Sequence, residues 1–225
     1  MPHAFTMPPE YIARAMSREG REHSVERIDA QHTALLAVDM QRYFMEPPFP
    51  GACPVAQEVV PNVNALADAI RVHGGSVVWL QNATPWQTEQ SWSVLRERYS
   101  DAAAEGRWSA LQEGANGFEI WPDLDVRTSD ARVIKNRYSA FIPGSSNLEP
   151  LLRERDIDTL LVVGVATNVC CESTARDAMM LNFRALMVSD ACAAASDGEH
   201  AAALGNFYLF FGDVQTTDEV IALIA

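Results

Sequence analysis

Residues 159–178 read TLLVVGVATNVCCESTARDA, and this stretch decides the fold. Leu160, Leu161, Val162 and Val163 form a short, β-rich apolar run that stops at Gly164, the pattern of a strand buried on both faces. From Cys170 the period changes: Cys171, Thr174, Ala175 and Ala178 recur three to four residues apart, as on one face of a helix. This reading puts Cys170 in the first turn of a helix that follows a buried strand. Unpaired N–H groups and the positive end of the helix dipole favour a thiolate there. A buried cysteine is more often a small hydrophobe than a nucleophile, so position alone does not make Cys170 catalytic.

Two other stretches strengthen the case. TALLAVDMQRYF (33–44) is an apolar strand ending in Asp39, and ARVIKNRYSAF (131–141) is a shorter one ending in Lys135. Taken singly, Asp39 reads as a turn cap and Lys135 as a solvated charge. Together with Cys170 they supply the base, the cation and the nucleophile of one site.

Apolar runs alternate with helical patterns along the chain. Strands are expected at Ala34–Asp39, Val77–Gln81, Arg132–Lys135, Thr159–Val163, Arg184–Ser189 and Asp213–Thr216. A helix over 59–72 presents Val63, Leu66, Ala67 and Ile70 on one face and stops at Gly74 and Gly75. SSNLEPLLRERD (145–156) and HAAALGNFYLFF (200–211) read as further helices, and a last one closes the chain. Such alternation predicts an α/β fold, a three-layer αβα arrangement around a parallel sheet. Ligands of these sheets bind beyond the carboxyl ends of the strands, near the point where strand order reverses. Asp39, Asn82, Lys135 and the Gly164-to-Cys170 turn all fall at carboxyl ends. Residues 84–130 break the pattern; Trp92, Trp108 and Trp121 read as pins holding this insertion to the domain, and Trp86, close behind a strand, as a candidate to face the pocket.

With 225 residues, 48% hydrophobic and 21% charged, the chain fits one globular domain over residues 33–225, preceded by an arm over 1–32. The arm mixes charge throughout, lacks the apolar core of a signal peptide and suggests one short helix near Tyr11–Ser17, packed on the domain or on a neighbouring subunit. A net charge of −13 argues against nucleic acid and anionic membranes as partners. The four cysteines have no scaffold spacing, which favours a reduced, cytoplasmic setting. The five histidines are scattered without ligand spacing, and no G-x-G-x-x-G follows a strand, so neither a metal nor a nucleotide cofactor is expected.

A thiolate attacking an amide carbonyl needs a base, oxyanion donors and an acid for the departing amine. Asp39 can take the Cys170 proton and return it to the leaving nitrogen, Lys135 favours both charged forms, and the turn can aim the N–H groups of Ala166 and Cys170 at the oxyanion. A thioester hydrolysed by water follows.

LLAVDMQRYF, VIKNRYSAF and VVGVATNVCCESTARDA resemble the three motif blocks of the isochorismatase-like cysteine hydrolases, across about 33–225. The resemblance implies a Rossmann-like, six-stranded parallel sheet of order 3-2-1-4-5-6 and a triad of Asp39, Lys135 and Cys170. It also implies a cis peptide at Val165–Ala166. True isochorismatases lack the nucleophilic cysteine, and nicotinamidases carry an Asp-x-His metal site where this chain reads WLQNATPWQ (79–87). The closest likeness is to amidohydrolases of ureido and carbamoyl groups, the ureidoacrylate amidohydrolases above all. They share K-x-R-Y-S-x-F and A-T-N-V-C-x-E-S-T. That likeness implies that Asn82, Trp86 and Tyr138, with Phe44, line a pocket for a small amide or ureide. It also implies a homo-oligomer, a dimer or tetramer. Cys171 stands where the family has an aliphatic residue; one helical step of about 100° turns it off the pocket axis and into the core. A thiol redox role for Cys170 and Cys171 is the competing reading, and maleamate or biuret hydrolysis the competing substrates.

Overall fold

The computed structural model describes residues 3–53 and 55–225, without the side chains of Trp86, Gln87 and Glu89. Its centre is one six-stranded, all-parallel sheet in the order β3-β2-β1-β4-β5-β6. The strands are β1 (Thr33–Val38), β2 (Ser76–Asn82), β3 (Ala131–Lys135), β4 (Thr159–Val165), β5 (Arg184–Ala193) and β6 (Asp213–Gln215). Strand order reverses between β1 and β4, which pair from Thr33↔Thr159 to Val38↔Gly164.

Because successive side chains point to opposite faces, the apolar runs feed two cores. Leu35 and Ala37 of β1 pack with Leu161 and Val163 of β4 and with α3 (Val60–Val72) and α10 (Thr217–Leu223). Leu36 and Val38 pack with Leu160 and Val162 on the other face, under α7 (Leu148–Glu154), α8 (Glu172–Met180) and α9 (Asp197–Phe210). The helix expected over 59–72 is α3, and Val63, Leu66, Ala67 and Ile70 are fully buried as its apolar stripe requires.

At Gly164 the backbone of β4 leaves no room for a side chain against β1. The φ of Gly164 is +115°, and a Cβ there would lie 2.2 Å from the Val38 carbonyl oxygen. Only glycine combines that conformation with that approach. Next to it the β4–β5 register shifts, and β5 continues past the expected end at Ser189 to Ala193.

The arm docks on its own domain. α1 (Pro9–Glu19) packs on α9, Ile28 bridges to Ile224, and the Val25 N–H donates to the Asp213 carboxylate at 2.8 Å. His3 is buried, stacked on His200 with ring centroids 4.4 Å apart. Its Nε2 accepts from the Ala194 N–H at 3.0 Å while Nδ1 meets Asp197 at 2.7 Å.

The insertion folds as α4 (Trp86–Ser91), α5 (Ser93–Arg96) and α6 (Asp101–Ala110), and α2 (Arg42–Met45) follows β1 beneath it. Polar side chains stitch it to the sheet edge. Gln41 donates to the Asn82 and Phe118 carbonyls, and Gln81 donates to Phe118 as well, all within 3.1 Å. Of the expected pins, Trp108 is buried, while Trp92 packs edge-on against Tyr138 and Trp121 lies under Arg42.

Candidate active site

Three strand ends bring the candidate residues together. Asp39 is the first residue after β1, Lys135 the last of β3, and Cys170 lies five residues beyond β4. β2 separates β3 from β1, so Lys135 reaches across it. Its Nζ donates to Asp39 Oδ2 at 2.8 Å and to the Arg137 carbonyl at 3.0 Å. Neither member of this pair is exposed. The Asp39 backbone is left-handed (φ 51°), an uncommon state for a residue other than glycine, and its Oδ1 has no partner among the described residues.

Burial raises the Asp39 pKa above the ordinary carboxylate range, against the pull of Lys135 and of the Cys170 thiol. Lys135 stays charged: burial opposes it, but Asp39 and Cys170 together hold its pKa above the ordinary lysine value. Cys170 corrects an expectation. Burial first, then the Asp39 charge, push its thiol up to about 12, and Lys135 and Arg107 only partly offset this. In the unliganded protein Cys170 is therefore a protonated thiol, and neither the helix dipole nor Lys135 makes it a resting thiolate. A carboxylate with a raised pKa beside a thiol that holds its proton is a base–nucleophile pair.

The local backbone also differs from the expected start of a helix at Cys170. The chain turns at Ala166, after a cis Val165–Ala166 bond. It then opens a wide π-type turn over Thr167–Cys171, in which the Cys171 and Glu172 N–H groups reach back five residues to the Ala166 and Thr167 carbonyls. Cys170 is the fourth residue of that turn. Cys171 is fully buried, and its sulfur, directed at the Val163 carbonyl (3.8 Å), interacts with Cys192 in the core.

Cys170 opens into a cavity of about 320 Å³ whose walls include Phe44, Tyr138, Ala166, Arg107 and Tyr99, with Cys53 and Glu199 at its margin. The sequence-derived candidates divide. Phe44, Tyr138, Ala166 and Cys170 line the cavity, with Asp39 and Lys135 behind Cys170. Asn82 does not line it: it is 2% exposed, and its side-chain N–H reaches the Arg137 carbonyl at 3.5 Å. Trp86 opens α4, but its side chain lies outside the described residues. Among the described residues no group of three or more His, Cys, Asp and Glu is placed to hold a metal ion.

Sequence reading missed Arg107, which lies on α6 inside the insertion and lines the cavity. A signal was available. Ala104, Trp108 and Leu111 mark the apolar stripe of α6, and Arg107 occupies a position in that stripe rather than on the solvent face.

Comparison with known proteins agrees with this architecture. The isochorismatase domain model matches residues 33–219. The chain is 32% identical over 196 residues to the isochorismatase family protein YwoC of Bacillus subtilis, covering 86% of this chain and 95% of that one. It is 31% identical over 213 residues to the ureidoacrylate amidohydrolase RutB of Caulobacter vibrioides, covering 84% and 90%. Among solved structures, a cysteine hydrolase from Pseudomonas syringae pv. phaseolicola superposes with a TM-score of 0.74 at 27% identity, covering 87% and 93%. The N-carbamoylsarcosine amidase of Thermoplasma acidophilum gives 0.67 at 26% identity, covering 83% and 96%. The chain belongs to the isochorismatase family and is a hydrolase of that family.

Proposed function

We propose that this protein is a cysteine-dependent amidohydrolase that cleaves a C–N bond of a small linear amide or ureide and releases ammonia. The observation that carries this reading is the convergence of Asp39, Lys135 and Cys170 from three strands behind a single cavity. The names of RutB and of the carbamoylsarcosine amidase support the bond class.

In the first half-reaction Asp39 takes the Cys170 proton as Sγ attacks the substrate carbonyl carbon. The Sγ–C bond forms, and the Ala166 and Cys170 N–H groups face the developing oxyanion. Collapse breaks the C–N bond, and Asp39 hands its proton to the departing nitrogen. In the second half-reaction Asp39 deprotonates water, which attacks the thioester; the C–S bond breaks and the thiol recovers the proton. Lys135 remains cationic throughout and stabilises Asp39 in its ionised state between transfers.

Ammonia release is measured across N-carbamoyl amino acids, ureidoacrylate, maleamate and biuret, with no added metal. Turnover that survives EDTA is expected; loss on chelation that zinc restores would overturn the reading. Cys171 is buried away from the cavity, which disfavours the redox alternative. A reduced cytoplasmic setting agrees with four free cysteines. We further propose a homo-oligomer, a dimer or tetramer; light scattering giving a mass near the 24.8 kDa of one chain would refute it.

A further inference from the structure

Arg107 is a buried cation for which the described protein supplies no counter-ion. It is 6% exposed, yet it forms no salt bridge among the described residues and its Nε has no hydrogen-bond partner there. Its guanidinium instead lies against three aromatic rings, with Cζ 5.4 Å from the centroid of Tyr43, 5.7 Å from Phe44 and 5.9 Å from Tyr99. Ring faces compensate part of the lost hydration and fix the plane of the group, but they leave the forked N–H donors unused. Arginine cannot escape burial by losing its proton.

None of the other charges around the cavity pairs with Arg107. Asp39 is engaged by Lys135 at 2.8 Å. Glu199 stands at the solvent margin, its carboxylate accepting from Ser196 at 3.0 Å at the start of α9. Arg107 is thus left without an ion-pair partner among the described residues, in the cavity that holds Cys170 and close enough to act on Cys170 and Asp39 electrostatically. A protein of net charge −13 repels small anions in general, so a buried, preorganised guanidinium marks a place where one anion is wanted.

We infer that Arg107 is the substrate's carboxylate receptor. The protein therefore acts on short amides or ureides that carry a carboxylate at the end remote from the scissile carbonyl, such as ureido acids and half-amides of dicarboxylic acids, rather than on neutral amides. A carboxylate matches the guanidinium fork bidentately. Bound there, it supplies the missing counter-ion and fixes the distance from which the carbonyl reaches Sγ. This deepens the amidohydrolase reading and rests on it.

The test compares N-carbamoyl-β-alanine with propylurea, and succinamate with butanamide; within each pair a methyl group replaces the carboxylate and nothing else changes. The wild type is expected to prefer the acid by about 100-fold or more in kcat/KM. In Arg107→Gln that ratio falls towards one, chiefly through KM of the acid, and Arg107→Lys recovers part of it. Circular dichroism and thermal melting establish that both variants are folded. A wild type indifferent to the carboxylate, or an Arg107→Gln variant that keeps the full ratio, overturns the inference while leaving the amidohydrolase reading intact. If no compound is turned over, calorimetric titration of Cys170→Ser with succinamate and butanamide decides the point. Binding of the acid alone, lost in Cys170→Ser/Arg107→Gln, upholds the receptor although the reaction was misassigned; no preference in binding overturns it.

Discussion

The carboxyl edge of the sheet and the segment 83–130 that folds over it are built by different rules. At the sheet edge, hydrogen-bonded register fixes where each side chain emerges: Asn82 stands opposite Lys135, and Val38, just before Asp39, stands opposite Gly164. Displacing one of these groups requires moving a strand. The insertion is held by glutamine side chains, ring stacking and short helices, and it contributes Tyr99 and Arg107 to the same cavity. On the proposed mechanism, rigid backbone carries bond making, where small errors in position are costly, and the adaptable layer carries recognition.

The comparison breaks most visibly at the nucleophile. Cys170→Ala should lower turnover by about 10⁴-fold or more, while Cys171→Ala, its neighbour in the core, keeps most of it. Ammonia release by both variants decides this; equal loss would mean that the wide turn presents either sulfur to the cavity.

Next comes the ion pair. Lys135→Met leaves Asp39 buried without its cation, so we expect a loss of about 3–5 kcal/mol in denaturant unfolding and a fall in kcat of at least about 100-fold. Because the wild-type thiol lies at about 12, alkylation by iodoacetamide should climb steadily above pH 9 without levelling. Removing Lys135 should shift that profile further upward; an unchanged profile would confine Lys135 to a structural role.

A third effect belongs to the sheet side alone, since residues 83–130 contain no histidine. Burial, then His3, lowers the His200 pKa from 6.5 to about 4. Between those values the unfolded chain binds the proton and the folded one does not, so the contribution is complete above pH 6.5 and is lost as pH falls towards 4. It amounts to at most about 3 kcal/mol. His23 works in the opposite sense, its pKa raised by the hydrogen bond to Asp213. Unfolding free energies at pH 7 and pH 5 should therefore converge in His200→Gln; the wild-type difference persisting there would remove His200 from the account.

The smallest effect tests the insertion. Trp92→Leu removes an edge contact with Tyr138 at 4.9 Å. KM should change about three- to tenfold with kcat within about twofold. An equal fall in kcat and kcat/KM, with KM unchanged, would show that the adaptable layer takes part in the chemistry.

What was legible in the sequence follows the same divide. Buried parallel strands announce themselves as apolar runs, and because ligands of such sheets bind beyond the strand ends, the convergence of Asp39, Lys135 and Cys170 could be read from three short blocks. Arg107 is specified by contacts with Tyr43 and Phe44, more than sixty positions away in the sequence, so only its place in an apolar stripe betrays it. The arm reads as polar because its partners, Asp213, Leu223 and Ala194, are remote. The protonated state of Cys170 was illegible for another reason: depth of burial, which outweighs helix dipole and lysine, is a property of the packed molecule.

The stack of His3 on His200 has a consequence for how the molecule opens. His200 Nδ1 meets the Thr167 hydroxyl at 2.9 Å, at the first residue of the turn that carries Cys170. Residues near the beginning of the chain and those of the turn that carries Cys170 thus share one small set of bonds, and we expect them to open as one cooperative unit. In hydrogen exchange the amides of 167–171 should follow those of 9–19 in protection, rather than the slow amides of β1 and β4 that lie nearer in space.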